Sequence, residues 1–403
     1  MGRHAKTLPV GRDNTRHLSA GLMAATFPAL TLERIIGDCG RSSKRVRDLP
    51  AVVVAYYVIA LSMFPSVGYQ SVLEWLLGGL RWLDAGNFRI SGKGSLSRAR
   101  ARLGEEPMRQ AFLKLAHPLN RKDLSGSYWR ALHLVAIDGT TLALQDTTSN
   151  EEGFGRATNQ HGGAAYPSCR CVVLCEVGTH LVFAAELGGY HDGEITLARG
   201  VLGALKPGML CLADRLFPGY GLWKQAAASG AHLLWRAKVA MPLQRLETLE
   251  DGSWIARWLP EDKKNAEPEG VLVRVIEYRL VGSEGDGRYR LLTTLLDCRE
   301  APAQELASLY PERWEVELTI KEAKEVLRGK EITLRSKVDE LVRQEFWGLL
   351  LAHYLVRRTM ALAALDQGRS PDTLSFLRSV EIIKSTQAGA VLPFSPCSKK
   401  KCV

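Results

Sequence analysis

The stretch HLVAIDGTTLALQD, residues 133–146, has the apolar pattern of a β-strand that meets a charge at Asp138. The stretch MLCLADRLF, residues 209–217, repeats this arrangement with Asp214. One aspartate at the end of an apolar strand is ordinary, because aspartate commonly begins turns. Two in one region are more informative, since neighbouring strands end at the same edge of a sheet, where two carboxylates can share a divalent cation.

The segments around these two runs predict an α/β region. CRCVVLCEVGTHLVFAAEL, residues 169–187, is strand-like, whereas GEITLARGVLGALK, residues 193–206, has helical spacing. Residues 234–299 return to strand-like runs separated by charged, glycine-containing turns, so we expect a β-rich insertion there. From Pro302 the periodicity is helical to about residue 365, and one more helix precedes a basic tail.

The first 125 residues have apolar positions at three- and four-residue intervals and predict a helical module. Their most apolar run, residues 51–64, is shorter than the roughly 20 residues that cross a bilayer as a helix, so we expect it to be buried. The basic N-terminus is not followed by the apolar segment of a secretory signal, and we therefore expect a cytoplasmic protein with reduced thiols. Three cysteines at even spacings, Cys169, Cys171 and Cys175, are expected to pack as small hydrophobes and not to hold a metal.

Composition limits the class of protein and its partners. The chain has 403 residues, 46% of them hydrophobic and 24% charged, which excludes a disordered or small disulfide-stapled protein and suffices for two or three domains. Its formal net charge of +10 favours a polyanion, nucleic acid or anionic lipid, as partner. A membrane-surface protein has little support, because no cationic amphipathic helix stands out.

Positive charge is concentrated in RISGKGSLSRARARLG, residues 89–104. The arginines Arg98, Arg100 and Arg102 have two interpretations that the sequence leaves open. They could contact a DNA backbone. Alternatively, they are the solvated start of a helix that Ser97 caps.

A third carboxylate comes from ELASLYPERWEVELTIKEAKEVLRG, residues 305–329. The spacing between Glu317 and Lys321 is that of an ordinary surface ion pair, which is one explanation of this helix. That explanation does not account for the position of Glu312, Glu315, Glu322 and Glu325, which lie outside one particular face of the helix. In a regular helix this face, an arc of about 80°, carries Tyr310, Arg313, Glu317, Lys321 and Lys324.

The pattern Tyr310-x2-Arg313-x3-Glu317-x6-Lys324 resembles the Tyr-Arg-Glu-Lys (YREK) signature of a group of bacterial insertion-sequence DDE transposases. Further blocks also resemble that family: AIDGTTL around Asp138, LADRLF around Asp214, and LRSKVDELVRQEFWGLLLAHYLVR after the signature. Together with LSRARARLGEEP near the N-terminus, the resemblance covers nearly the whole chain.

The resemblance implies an α/β protein with a ribonuclease H-like catalytic core, a β-rich insertion, and an N-terminal helical DNA-binding module. About 100 residues separate Asp214 from Glu317, too many for a simple connection, which agrees with an insertion at this point. The expected division is 1–125 for the DNA-binding helices, 126–233 for the first part of the core, 234–299 for the insertion, 300–375 for the core helices with the glutamate, and 376–403 for a C-terminal helix and basic tail.

The activity that the resemblance implies is binding of the terminal repeats of an insertion sequence, followed by metal-dependent DNA cleavage and strand transfer. Asp138, Asp214 and Glu317 would bind two Mg²⁺ or Mn²⁺ ions. The expected partners are double-stranded DNA, at the element ends and the target, and a second copy of the chain on that DNA in the bacterial nucleoid. DNA contacts are expected from Tyr310, Arg313, Lys321, Lys324, Arg215, Arg98, Arg100 and Arg102.

Alternatives remain open for individual residues. Asp146 is a rival to Asp138 as the first metal ligand. Another acidic cluster, His191, Asp192 and Glu194, either supports the metal ligands or forms a solvated turn. Some relatives stack a tryptophan of the insertion on a flipped base, and the candidates here are Trp235, Trp254 and Trp258, or none.

Two other functions remain open for the whole protein. It could be a repurposed protein that binds DNA ends without cutting them, although three carboxylates would weaken binding to a polyanion. It could also be a ribonuclease H-like nuclease that stops at hydrolysis without strand transfer.

Overall fold

The computed structural model describes residues 20–43, 49–81, 93–159, 162–260, 270–279, 287–329 and 333–385. Short 3₁₀ segments also occur at 202–204, 310–313 and 371–373. The α-helices in the described ranges are α1 (Ala20–Thr26), α2 (Ala29–Asp38), α3 (Ala51–Met63), α4 (Tyr69–Arg81), α5 (Lys93–Leu103), α6 (Glu106–Leu115), α7 (Thr148–Phe154), α8 (Glu194–Val201), α9 (Tyr220–Ala227), α10 (Ala303–Leu309), α11 (Trp314–Lys321), α12 (Asp339–Asp366) and α13 (Phe376–Ser385).

The strands belong to one mixed sheet whose order is β3-β4-β2-β6-β7-β11-β10-β9-β8, with β1 paired to β2 and β5 to β4. Strands β2, β4 and β5 are antiparallel neighbours, whereas β6 and β7 run parallel to β2. The strand bounds are β1 (Tyr128–Trp129), β2 (Leu132–Ala143), β3 (Arg156–Asn159), β4 (Gly162–Glu176), β5 (Val182–Gly189), β6 (Met209–Ala213), β7 (His232–Ala237), β8 (Gln244–Thr248), β9 (Trp254–Trp258), β10 (Val271–Arg279) and β11 (Arg288–Thr293).

The central strands are buried on both faces because they are almost wholly apolar. All five residues of β6 are buried. In β4, the side chains of Cys169, Cys171 and Cys175 are free thiols in the hydrophobic core, as the sequence predicts. Burial raises the pKa of the Cys171 thiol, which keeps it protonated.

The register of the parallel strands determines which candidate site residues lie beside each other on neighbouring strands. Ile137 of β2 is paired with Ala213 of β6, and Ala213 is paired with Trp235 of β7. Asp138 does not end its strand as expected, because β2 continues to Ala143. The parallel pairing of β2 with β6, however, ends at the pair of Ile137 and Ala213. Asp138 and Asp214 directly follow this last pair and therefore lie next to each other.

Strands β8 to β11 extend the same sheet beyond β7, through antiparallel pairing of β11 with β7. One face of this extension is buried with the tryptophans of the region. Trp235, Trp254 and Trp258 are at most 7% exposed, so none of these three candidates is available to stack on a base. Trp235 packs against Trp223, and Trp258 packs against Trp223 and Tyr220. Arg245 and Arg290 lie over the ring of Trp254.

The N-terminal helices pack onto α12. Helix α3 is buried along nearly its whole length, as the apolar run predicts, and lies against α12. The approach is close, since a Cβ added at Gly348 of α12 would stand 2.7 Å from Val58 Cγ1. Across the described ranges, no helix combines the length and apolar character needed to cross a bilayer.

Helix α5 corrects two expectations about the basic stretch. It begins at Lys93, so Ser97 lies within the helix and does not cap it. Arg100 is buried, and its guanidinium donates to Gln344 Oε1 at 2.9 Å and Ser336 Oγ at 3.0 Å. Arg100 is therefore not part of a solvated helix start, because its donors hold α5 to the start of α12, and its expected DNA contact stays a prediction.

The segment after Pro302 is helical but not one regular helix. A 3₁₀ turn, 310–313, separates α10 from α11, and a π-helical segment, Glu322–Leu327, follows α11. The expected arc of about 80° assumed 100° per residue throughout, and these segments change the angle between its members. Distances must therefore decide which of those side chains face the strands.

Candidate active site

Three carboxylates approach each other where the parallel pairing of β2 and β6 ends. Asp138 and Asp214 lie on neighbouring strands, and Glu317 lies on α11, which packs against β2. Burial raises the pKa of Asp138 to about 6, and the negative charges of Asp214 and Glu317 add to this effect. The ionised form of Asp138 is therefore unfavourable at this site unless a cation lies near it.

Local hydrogen bonds orient the two aspartates. Asp138 Oδ1 accepts from the Gly139 N–H at 2.8 Å, and Asp214 Oδ1 accepts from the Leu216 N–H at 2.8 Å. In each case one carboxylate oxygen is fixed by the turn of the backbone. The second oxygen has no such backbone donor among the contacts of the described residues, and it is the one available to a ligand.

Arg313 lies between the carboxylates. Its Nη2 is 2.8 Å from Glu317 Oε1, and its Nη1 is 4.0 Å from Asp138 Oδ2. The side chain is only 8% exposed, and its Nε has no hydrogen-bond partner among the described residues. Arg313 thus neutralises part of the charge and holds Glu317 towards Asp138.

Tyr310 is buried, and its expected DNA contact stays a prediction. Its hydroxyl donates to the Ala213 carbonyl at 3.2 Å, directly before Asp214. Burial raises the pKa of Tyr310, so the hydroxyl stays protonated and can donate. Tyr310 therefore ties the 3₁₀ turn to the end of β6 and positions Asp214.

Lys324 reaches the same group of strands from the π-helical segment. Its Nζ donates to Thr140 Oγ1 at 2.9 Å, two residues after Asp138. Burial lowers the pKa of Lys324, and the nearby Arg328 lowers it further. The π-helical segment therefore keeps Lys324 near Asp138 although the helix is irregular.

Glu194, the first residue of α8, lies over the backbone next to Asp138. A Cβ built on Gly139 would stand 2.9 Å from Glu194 Cδ and 3.1 Å from its Oε1. A larger residue at position 139 would displace this carboxyl. Its neighbour Asp192 instead closes the turn, where its Oδ2 accepts from the Gly189 N–H at 2.6 Å.

The other predicted residues are exposed at the surface. Among them are Lys321, Arg215, Arg98 and Arg102. Asp146, the rival first ligand, is an exposed carboxylate whose Oδ1 is 2.6 Å from Arg156 Nη2. That ion pair neutralises it, and it does not join Asp214 and Glu317.

A second polar group, hereafter the buried ionic cluster, lies behind α11 and comprises His180, Glu315, Glu322, His353 and Arg357. Glu322 Oε2 accepts from Arg357 Nε at 2.7 Å and lies 3.2 Å from His353 Nε2. His180 Nε2 is 2.6 Å from Glu315 Oε2, and its Nδ1 faces Arg357. The charged and imidazole groups here bind one another.

Part of this cluster has the composition of a metal site. In the described part of the chain, His180, Glu315 and Asp372 bring three potential ligand atoms within 4.8 Å of one another. Both ring nitrogens of His180 are already engaged, with Glu315 and Arg357. We therefore interpret this group as an ion-pair network that anchors α11.

Two residues near the carboxylates were missed by the sequence analysis. Arg236 follows the apolar run of β7 in the same way that the two aspartates follow theirs, which is the signal that would have found it. Trp314 is 58% exposed beside Arg313, whose Cζ is 5.0 Å from the ring centroid. It is the aromatic side chain of the signature that solvent reaches.

Comparisons with known proteins identify the family of this chain. Residues 129–355 match the family model of the transposase DDE domain, and residues 17–113 match that of the insertion element 4 transposase N-terminal region. The DDE match contains Asp138, Asp214 and Glu317.

Relatives with assigned names include two proteins of Escherichia coli K12. The transposase InsG for insertion sequence element IS4 is 29% identical over 356 residues, 87% of this chain and 79% of the relative. The putative transposase InsZ is 26% identical over 218 residues, 54% of this chain and 71% of the relative. Among solved structures, the cryo-EM structure of the piggyBac transposase synaptic complex with hairpin DNA has a TM-score of 0.45 at 9% identity, covering 92% of this chain and 80% of that chain.

The DDE model alone covers more than half of the chain. Its match confirms the family that the Tyr-Arg-Glu-Lys spacing resembles. This chain therefore belongs to the IS4-type DDE transposases, enzymes that act on the DNA of insertion sequences and use divalent metal ions.

Proposed function

We propose that Asp138, Asp214 and Glu317 bind the divalent ions at which this transposase cuts and joins DNA. The observation that carries the assignment is their convergence at the end of the β2–β6 pairing, with the pKa of Asp138 raised by burial and by the other two carboxylates. Hard oxygen donors of this kind favour Mg²⁺ or Mn²⁺. Cations bound here would neutralise the reacting phosphate and activate the attacking hydroxyl.

Two ions suit the arrangement better than one. The carboxylate oxygens of Asp138, Asp214 and Glu317 do not all lie within 4.8 Å of one another, whereas the possible ligand atoms of His180, Glu315 and Asp372 do. In two-metal sites the ions are about 3.5–4 Å apart, so the carboxylates that hold them are spread. Arg313 would keep Glu317 in place while DNA approaches.

The DNA phosphates at this site would be held by flanking cations. Lys324 uses one donor for Thr140 and keeps two, and a lysine ammonium binds phosphate as a point charge. Lys321 and Arg215 are exposed on either side, on α11 and after β6. Trp314, exposed next to Glu317, adds an aromatic surface on which a base or sugar can pack.

The architecture supports a ribonuclease H-like core, with β2, β4 and β5 antiparallel and β6 and β7 parallel to β2. The N-terminal helices with exposed Arg98 and Arg102 would be the DNA-binding module, and strands β8 to β11 the insertion. The basic N-terminus and the tail after residue 385 lie outside the described residues. These domain boundaries, 1–125, 126–233, 234–299, 300–375 and 376–403, remain our proposal.

Strand transfer requires two element ends in one complex, so we also propose a homodimer on double-stranded DNA, located with that DNA in the nucleoid. Light scattering of the protein with a duplex that carries one element end would give the ratio of chains to ends. A ratio of one chain to one end, with two ends per complex, is expected.

The carboxylate assignment is tested by incubating the purified protein with the ends of its element, flanking DNA and Mg²⁺, and mapping the nicks. Nicking is expected to be lost in Asp138→Asn, Asp214→Ala and Glu317→Gln. Asp146→Asn is the matched control, because Asp146 is an exposed carboxylate paired with Arg156, and it should nick as the wild type does. Normal nicking by Glu317→Gln would refute the assignment.

The same assay separates the alternative functions. Binding of the ends by the wild type without Mg²⁺-dependent nicking would indicate a DNA-binding protein that does not cut. Nicking without joining of a pre-cut 3′-hydroxyl end to target DNA would indicate a nuclease.

A further inference from the structure

The row of charged residues at the carboxylate edge does not end at Asp214. On the parallel strands β2, β6 and β7, Ile137 is paired with Ala213, and Ala213 with Trp235. The residues that directly follow these three are Asp138, Asp214 and Arg236. Residues at matched register on parallel strands share a face of the sheet. Arg236 therefore continues the row by one strand, on the face of the two aspartates.

Two tyrosines of the insertion continue the row beyond Arg236. The Arg236 Cζ lies 4.0 Å from the centroid of the Tyr289 ring. The Tyr289 ring stacks on Tyr278 of the next strand, with centroids 5.4 Å apart and planes 21° apart. Tyr289 and Tyr278 are direct cross-strand partners, and all three side chains are partly exposed. The guanidinium therefore lies over the ring of a stacked aromatic pair.

The positive charge of Arg236 is not balanced by a carboxylate in the described part of the protein. No carboxylate oxygen of the described residues forms an ion pair with it, whereas Arg290, on the opposite face of β11, has Nη2 at 2.7 Å from Glu277 Oε1. Arg290 also donates to the Met241 carbonyl at 2.9 Å. Stacking on a ring leaves the in-plane N–H donors of an arginine free, and these donors match the geometry of a phosphate.

We propose that Arg236, positioned by Tyr289 and Tyr278, binds a backbone phosphate of the double-stranded DNA that continues from the scissile phosphate across the insertion. This inference rests on the proposed carboxylate site, which places the scissile phosphate at the other end of the row. The row crosses β2, β6, β7, β11 and β10, about 19 Å at about 4.8 Å per strand. That length corresponds to about five or six base pairs at about 3.4 Å each. The insertion strands thus provide a DNA track as well as an extension of the sheet.

The test is the salt dependence of DNA binding, measured without divalent cation so that binding is separated from cleavage. The probe is a duplex that contains an element end and its flanking DNA. A lost phosphate contact lowers the slope of log K against log salt by about 0.9, so Arg236→Gln should show that reduction with about 10-fold weaker binding. Arg290→Gln is the matched control on the opposite face and should keep the wild-type slope.

The tyrosines provide a second test in which the charge is kept. Tyr289→Leu retains Arg236 but removes the ring that orients it, so the slope should stay close to that of the wild type while affinity falls several-fold. Tyr289→Phe keeps the ring and should restore the affinity, which a general loss of stability would not predict. An unchanged slope in Arg236→Gln, or an equal reduction in Arg290→Gln, would overturn the proposal.

These results are independent of the carboxylate assignment. If Asp138→Asn still nicks DNA while Arg236→Gln loses its salt-dependent contact, the metal assignment fails and Arg236 remains a DNA contact. If Asp138→Asn loses nicking while Arg236→Gln binds as the wild type does, the track fails and the carboxylate site stands.

Discussion

Two groups of charged side chains lie on opposite sides of α11, and they differ in how their charges are balanced. In the buried ionic cluster, the Glu322 carboxylate is surrounded by Arg357, His353 and His180. At the carboxylate site, Arg313 is the cation that approaches Glu317 and Asp138 closely. The first group is complete in itself, whereas the second retains negative charge that a cation from solution can balance.

This difference shows in the pKa values of the two groups. Although burial opposes ionisation of Glu322, its hydrogen bonds to His180 and His353 and the charge of Arg357 lower its pKa below the usual range. At Asp138, burial and two neighbouring carboxylates raise the pKa to about 6. A carboxylate whose charge is balanced by neighbouring cations stabilises the fold, whereas one whose charge is not fully balanced is available for function.

The largest expected effect is at the carboxylate site, where a substitution should abolish activity but leave the stability of the fold nearly unchanged. Glu317→Gln keeps the shape of the side chain but removes its charge, and cleavage should fall by about 1,000-fold or more, because the cations that stabilise the transition state lose a ligand. Thermal unfolding of the metal-free variant should begin close to that of the wild type, because the relief of repulsion with Asp138 and Asp214 offsets the lost ion pair with Arg313. Parallel loss of stability and activity would contradict this separation.

The buried ionic cluster should show the opposite behaviour. Arg357→Leu leaves Glu322 buried without its closest cation, and breaking such a pair costs about 3–5 kcal/mol of unfolding free energy. Urea unfolding measures this loss. The double variant Arg357→Leu with Glu322→Gln removes both charges and should recover part of the stability. Independent, additive losses would show that the two side chains do not form a pair in solution.

A smaller effect is expected where Glu194 packs on the strand of Asp138. Gly139→Ala places a methyl group 2.9 Å from Glu194 Cδ, the far end of a flexible side chain, so it should move the carboxyl away from the site and lower stability by about 1 kcal/mol or less. Adding Glu194→Ala removes the clash, and the double variant should be more stable than Gly139→Ala alone. Denaturation of the three variants measures the coupling, which would be absent if the strand shifts instead.

The smallest effect is the pH dependence that the buried ionic cluster produces. A carboxylate with a lowered folded-state pKa gives stability that is complete above its unfolded pKa, 4.5 for Glu322, and is lost as the pH falls towards the folded value. The stability difference between wild type and Glu322→Gln should therefore shrink as the pH falls below 4.5. Unfolding free energies across this range provide the measurement, and a difference that grows on acidification would contradict it.

The sequence determined the features that depend on local patterns. Apolar runs that end in a charge identified Asp138 and Asp214, because alternation and burial are encoded within a few residues. The spacing from Tyr310 to Lys324 identified the family, which the comparisons show. The apolar residues of α3 and the core cysteines of β4 were also predictable, because a wholly apolar run must be buried.

The tertiary structure decided which charges remain available and which are used inside the protein. Arg98 and Arg100 are two residues apart in one helix, yet Arg98 is exposed and Arg100 binds the start of α12, more than 200 residues away. Tyr310 and Arg236 acquired their roles in the same way, through contacts with Ala213 and Tyr289. The physical reason is that strand register and helix packing bring together residues distant in the chain, and local periodicity carries no information about those partners.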